Sequence, residues 1–258
     1  GSLSFENPRA FQGKGVTTWE GLIKSVRAKV KGTKVKIRLG ASSGEWKAMV
    51  ADEAARTTFA KNIKTVLEKN KLDGIDLDFE WAENEKEYED YSLAILKMRE
   101  VLGNKYLFSV SLHPVCYKIS KEAIEAVDFI SLQCYGPSPV RFPIEKYCSD
   151  IQMVLEYGIP KEKLVAGVPF YGVTKDNSKK TEAYFNFVQN GLVTSPAQNE
   201  VIYQGDTYVF DGQDNIRIKT RYAKEQKLKG MMSWDLATDL PLSDSRSLLK
   251  TMTEELRE

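Results

Sequence analysis

The run Leu72-Asp73-Gly74-Ile75-Asp76-Leu77-Asp78-Phe79-Glu80-Trp81 alternates acids and apolar residues strictly, with Asp76, Asp78 and Glu80 on one parity and Ile75, Leu77 and Phe79 on the other. Strand side chains alternate faces, so the three acids point one way and the three large apolar groups the other. A half-buried strand would turn its polar side to water. Here the flanking segments read as strand-helix units, which cover both faces of a strand and favour apolar residues throughout. Three carboxylates aimed into such an interior carry a large desolvation cost, the mark of a reaction site. Residues two apart on a strand face lie about 6–7 Å from each other. At that spacing in a low dielectric the three cannot all ionise, so they titrate as a coupled set. Glu80, the outermost, is the natural general acid. Asp78 is the natural charge stabiliser, and the deeper Asp76 shares a proton with Asp78. Asp73, at the opposite end of the strand, reads as structural.

Three chemistries can use such a row. Inward carboxylates suit a hard divalent cation. They can also be internal polar groups that only satisfy one another. Cleavage of a glycosidic bond uses a proton-holding acid and an anionic partner together. Tyr135 and Trp234 favour the third, because each ends a predicted strand on the same rim as the acids. There a phenol can hydrogen-bond, and an indole can present a flat face to the C–H side of a sugar ring.

Composition narrows the alternatives. At 258 residues the chain suits one large α/β domain in preference to two small ones, with 42% apolar residues for the core. The net charge is +1 without basic blocks, so no nucleic-acid footprint is indicated. No apolar run is long enough to span a membrane, and no signal peptide is evident. The 3 cysteines, Cys116, Cys134 and Cys148, lack metal spacing and do not form a disulfide framework. The single histidine, His113, excludes multi-histidine zinc sites. A serine-histidine-acid triad would depend on that one residue, and no serine sits in a nucleophile-elbow context.

The elements that must position these groups alternate strand and helix. Strands are predicted at Val35–Leu39, 74–81, Tyr106–Leu112, Phe129–Tyr135, Leu164–Tyr171 and Met231–Leu236, with a weak candidate at 3–5. Helices open at Thr17 with Glu20 as a capping box, at Asp52, at Asn84, at Ser120, near Glu145, at Asp214 and at Ser243. The span 173–213 holds a predicted helix near 181–189 and a hairpin of Val201–Tyr203 with Tyr208–Phe210. Short strand-helix connections imply parallel strands with right-handed crossovers. Polar residues at strand ends then indicate a (β/α)8 TIM barrel, whose active-site rim lies at the strands' C-terminal ends. A doubly wound sheet is disfavoured, since no GxGxxG occurs. Six clear strands against the barrel's eight leave two readings: residues 1–15 supply an unpatterned strand, or, the favoured one, the first one or two strands are missing from this chain.

On these residues the chain resembles glycoside hydrolase family 18, the chitinases and endo-β-N-acetylglucosaminidases. Asp73, Asp76, Asp78 and Glu80 match the family's DxxDxDxE strand in full. Val35-Lys-Ile-Arg-Leu-Gly40-Ala41 resembles its SxGG strand, and Leu132-Gln133-Cys134-Tyr135 its tyrosine strand. Val168-Pro-Phe-Tyr171-Gly172 and Gly230-Met-Met-Ser-Trp234-Asp235 resemble its last two strands. The resemblance implies a single catalytic domain over 1–258, incomplete at its N-terminus because the family's first two strands would lie upstream of residue 1. It also implies retaining, substrate-assisted hydrolysis of an N-acetylglucosamine-containing oligo- or polysaccharide, without metal or organic cofactor, in a secreted or periplasmic setting. Glu80 would be acid and base, Asp78 would stabilise the acetamido group, and Asp76 would support Asp78. Tyr135 would bond the acetamido oxygen, Trp234 would form the subsite floor, and Gln133 and Tyr171 would contact substrate. A carbohydrate-binding member without turnover, or one acting on N-glycan cores, fits the same motifs. Five departures bear on preference and rate: Arg38 and Ala41 in the SxGG strand, Gln133 in place of methionine, Gly136 in place of aspartate, and Trp81 in place of tyrosine. The span 173–213 is too short for a full insertion domain, which predicts a shallow, open cleft.

Overall fold

The computed structural model describes residues 2–4, 15–42 and 45–258. The chain divides into two compact units. The first comprises Gly1–Ser111 and Lys118–Asp128, and the second Leu112–Tyr117 and Phe129–Glu258.

In the first unit the elements are α1 (Trp19–Lys29), β1 (Arg38–Ser42), α2 (Trp46–Ala51), α3 (Glu53–Asn70), β2 (Gly74–Asp78), α4 (Glu85–Leu102), β3 (Leu107–Leu112) and α5 (Lys121–Ala126). Leu112, the last residue of β3, already belongs to the second unit. The strand β2 pairs in parallel with β1 on one side and β3 on the other. Gly74 is required where β2 meets β3, because a Cβ there would stand 2.0 Å from the Leu107 carbonyl oxygen. Ile75, Leu77 and Phe79 are buried, and Phe79 stacks on Trp46 of α2 at 5.4 Å and 9°. Phe59 of α3 and Tyr91 of α4 close the same cluster at 5.9 and 5.5 Å. Such aromatic pairs contribute about 0.5–1.5 kcal/mol each beyond the area they bury. The apolar parity of β2 is therefore committed to the helices.

Helix ends follow local chemistry. Asp52 accepts from the Ala55 N–H, Asn84 from Glu87 N–H and Ser120 from Ala123 N–H, satisfying donors of the first helical turns. The helix after Gly15 is capped by Thr18, one residue later than the capping-box reading at Thr17. The first strand also starts later than expected, at Arg38, and runs on through Ser42. Residues 2–4 hold no regular structure, and Phe5, Gly13, Ser43 and Gly44 lie outside the described residues.

In the second unit β4 (Phe129–Leu132), β5 (Leu164–Pro169) and β10 (Gly230–Trp234) run parallel in that order, with α6 (Ile144–Tyr157) and α8 (Gln213–Glu225) between them in sequence. The terminal helix α9 (Leu248–Arg257) is capped at Ser247 rather than Ser243, and α8 is capped at Gly212 rather than Asp214. Between β5 and α8 lies a four-stranded antiparallel sheet in the order β7 (Thr181–Ala183), β6 (Tyr171–Thr174), β9 (Asp206–Val209) and β8 (Glu200–Tyr203). A short helix, α7 (Tyr184–Gln189), packs Phe187 against Tyr203, Tyr208 and Phe210. The β8–β9 hairpin turns on Gln204 and Gly205, both at positive φ, as a two-residue hairpin whose twist matches its strands requires. The expected strand Leu164–Tyr171 is broken instead. Phe170 donates its N–H to the Trp234 carbonyl at 2.8 Å, and Tyr171 opens the antiparallel sheet.

Among the described residues six parallel strands alternate with helices, three strands to a unit, the pattern of a truncated (β/α)8 barrel. The insert between β5 and α8 is a small sheet and one helix rather than a full insertion domain.

Candidate active site

The acid row leaves the first unit at the C-terminal end of β2. Asp76 and Asp78 are half-buried, and Glu80 is exposed two residues beyond the strand. With Phe79 locked among aromatics, Glu80 is also held through its backbone, because its carbonyl accepts the Trp46 indole N–H at 2.9 Å. The Glu80–Trp81 peptide bond is cis, and Trp81 is 40% exposed.

Asp76 is held from both neighbouring strands. In the parallel register it lies across from Gly40 on β1 and Ser109 on β3. The Ser109 hydroxyl donates to Asp76 Oδ1, and Ser111 donates to Oδ2 at 2.7 Å. Gly40 has no side chain, and the guanidinium of Arg38, two residues back on the same face, comes within 3.9 Å of Asp76 Oδ1. Arg38 also donates to Ser109 Oγ. Burial lowers the Arg38 pKa, while the negative charges of Asp76 and Asp128 raise it, so the group stays a cation. At the other end of β2, Asp73 accepts the Ile37 N–H at 2.8 Å and pairs with Lys36 at 3.6 Å, the structural part expected of it.

In the second unit Tyr135 lies three residues past the end of β4, which stops at Leu132. Its hydroxyl donates to Met232 Sδ at 3.5 Å, and its ring meets Tyr171 edge-on at 6.4 Å. Tyr171 in turn donates to the Gly136 carbonyl at 3.2 Å. Gly167 makes room for this ring, since a Cβ there would stand 2.8 Å from Tyr135 Cε1. Met232 and Trp234 share one parity of β10, so Trp234 projects on the Tyr135 side of that strand, one step nearer its C-terminal end, and is 51% exposed. The Trp234–Asp235 bond is cis. Gln133 is buried, and its N–H donates to the Leu112 carbonyl at 2.8 Å.

His113 supports this group rather than forming a triad. The Val115 N–H donates to His113 Nδ1 at 3.2 Å, so the neutral ring carries its proton on Nε2 and donates to the Tyr135 carbonyl at 3.1 Å. Burial, reinforced by the positive charge of Arg141, pushes the imidazole pKa down to about 4.

Each unit therefore gathers part of the residues singled out from sequence. Asp76, Asp78 and Glu80 form one succession in the first, and Tyr135, Tyr171 and Trp234 belong to the second. Ser109, Ser111, Trp46 and Met232 were not anticipated. The alternation Phe108-Ser109-Val110-Ser111 held a signal, because it repeats the period of the acid row on the next strand. Among the described residues no group of three or more histidines, cysteines and acids is arranged to hold a metal ion. No described helix is long and apolar enough to cross a membrane.

These features define the class: a parallel-barrel α/β chain with a carboxylate row at the C-terminal end of one strand. The chain belongs to glycosyl hydrolases family 18, whose family model matches residues 3–239. Probable chitinase 2 of Drosophila melanogaster is 24% identical over 273 residues, covering 80% of this chain and 56% of that protein. The chain thus spans about half the length of that relative. Among solved structures, a chitinase from Bacteroides thetaiotaomicron superposes with a TM-score of 0.79 at 22% identity, covering 90% of this chain and 80% of its own. The chitinase-like agglutinin of Robinia pseudoacacia superposes at 0.76 with 19% identity, covering 92% and 84%.

Proposed function

We propose that the chain hydrolyses β-1,4 bonds that follow N-acetylglucosamine, in chitin or chitooligosaccharides, by retaining, substrate-assisted catalysis. The observation that carries this reading is the complete acid row of a glycosyl hydrolase family 18 member, with Glu80 present and its backbone tied down beside the strand end. Glu80 gives its proton to the glycosidic oxygen as the bond to the anomeric carbon breaks, and the leaving sugar departs as a neutral alcohol. The 2-acetamido oxygen of the remaining sugar takes that bond's place and forms an oxazolinium ion. Asp78 orients the acetamido N–H and balances the positive charge, and Asp76 holds Asp78 in place. Glu80, now a carboxylate, takes a proton from water, which attacks the anomeric carbon and reopens the ring. Two displacements restore the starting configuration. Tyr135 bonds the acetamido group, Trp234 provides an apolar floor for the sugar face, and Gln133 and Tyr171 make further substrate contacts. The second unit supports these roles by fixing Tyr135 through His113, Met232 and Tyr171 while leaving Trp234 open to solvent.

A second reading is favoured by the agglutinin likeness: a carbohydrate-binding member without turnover. Incubation with a chromogenic N-acetyl-chitooligosaccharide separates the two. Release of the chromophore supports the hydrolase, whereas saturable binding without release supports the lectin. A product profile on chitohexaose beside a high-mannose glycopeptide then distinguishes chitin from N-glycan cores.

A further inference from the structure

Arg38, which stands where the SxGG strand it resembles carries serine, puts a cation beside Asp76, and its wiring fixes the direction of two protons. Arginine has only donors. Ser109 Oγ, which receives an N–H of Arg38, must therefore spend its own proton on Asp76 Oδ1. Ser111 donates to the other oxygen at 2.7 Å. Both oxygens of Asp76 thus accept from side chains of β3, and the Arg38 cation stands 3.9 Å away with the two side chains only 25% and 17% exposed. An ion pair this sheltered is poorly screened by solvent.

We propose that Arg38 is a positioning residue for the acid row: through Ser109 it locks Asp76 as a hydrogen-bond acceptor, so the row's proton sits on the outer members, Asp78 and Glu80. This inference rests on the hydrolase reading above. It replaces the proton shared between Asp76 and Asp78 with one held nearer the scissile bond. The negative charges of Asp76 and Asp128 act on Arg38, Asp128 being itself paired with Arg99. Asp76 forms an ion pair with Arg38.

The test is the pH dependence of kcat/KM on a chromogenic chitooligosaccharide for the wild type, Arg38→Met and Arg38→Lys, with melting temperatures measured in parallel. Loss of the cation makes nearby carboxylates easier to protonate. In Arg38→Met the acid limb therefore moves to higher pH by about one unit, and kcat falls while KM changes little. Arg38→Lys keeps the charge and stays near the wild-type profile, which a merely structural role would not predict. An Arg38→Met profile that overlays a turning-over wild type overturns the inference and leaves the hydrolase reading standing. An Arg38→Lys profile displaced as far as Arg38→Met overturns the charge basis. A folded wild type without turnover at any pH overturns the hydrolase reading, and this inference with it.

Discussion

The sole histidine makes a sharp test of the second unit. His113 is 5% exposed, accepts the Val115 N–H on Nδ1 and donates from Nε2 to the Tyr135 carbonyl. Protonation would place a hydrogen on Nδ1 and abolish the Val115 bond. It would also put a buried cation near Arg141 and Lys146, only partly offset by Asp150. These effects hold the folded pKa at about 4, against about 6.5 in the unfolded chain. The unfolded state then binds more protons across that interval, so stability is present at neutral pH and lost as pH falls from about 6.5 towards 4. Integrating one such site gives a loss of about 2 kcal/mol between pH 7 and pH 5. Urea unfolding of the wild type and His113→Gln at those two pH values isolates the contribution, because the variant lacks the linkage. An NMR titration of the single imidazole reads the same quantity directly, since no assignment is needed. A midpoint near 6.5, or parallel pH dependence in the two proteins, would refute the reasoning.

Two substitutions probe other buried features. Lys219 and Asp211 form a fully buried ion pair at 2.6 Å, with Lys219 also over the rings of Phe142 and Tyr147. Lys219→Met strands the Asp211 carboxylate and should cost about 3–5 kcal/mol in thermal or urea unfolding, while Lys219→Met with Asp211→Leu recovers much of it. In Gly167→Ala the added methyl would lie 2.6 Å from the Leu132 carbonyl and 2.8 Å from Tyr135 Cε1. Overpacking of this kind costs about 1–3 kcal/mol, and displacement of Tyr135 should lower kcat on a chitooligosaccharide more than Tm alone would suggest.

The parts of the molecule that were legible in sequence are those set by local periodicity. The strict alternation of β2 carried both the strand and the burial of its apolar parity. The six parallel strands of the described residues begin within a few residues of their expected starts, and the hairpin after Tyr203 is present, though its second strand starts at Asp206 rather than Tyr208. Elements decided by tertiary contacts were less legible. The six-residue α2 has too short a pattern to register, yet its Trp46 completes the aromatic cluster and holds Glu80. The break after Pro169 exists because Phe170 bonds to the end of β10, a partner 64 positions away in the chain numbering (170 to 234). Arg38 could be seen as a departure from the family pattern. Its reach to Asp76 could not, because that depends on the register of β1 against β2 and on an empty position at Gly40.

The most direct test of the account is kcat on chitotetraose for the wild type, Glu80→Gln and Asp73→Asn, two ends of one strand. If Glu80 moves the proton, Glu80→Gln loses on the order of 10²–10⁴-fold in kcat with KM nearly unchanged. Asp73→Asn, which alters only the Ile37 and Lys36 contacts, keeps near-wild-type kcat in the fraction that folds. Wild-type turnover by Glu80→Gln would contradict the account.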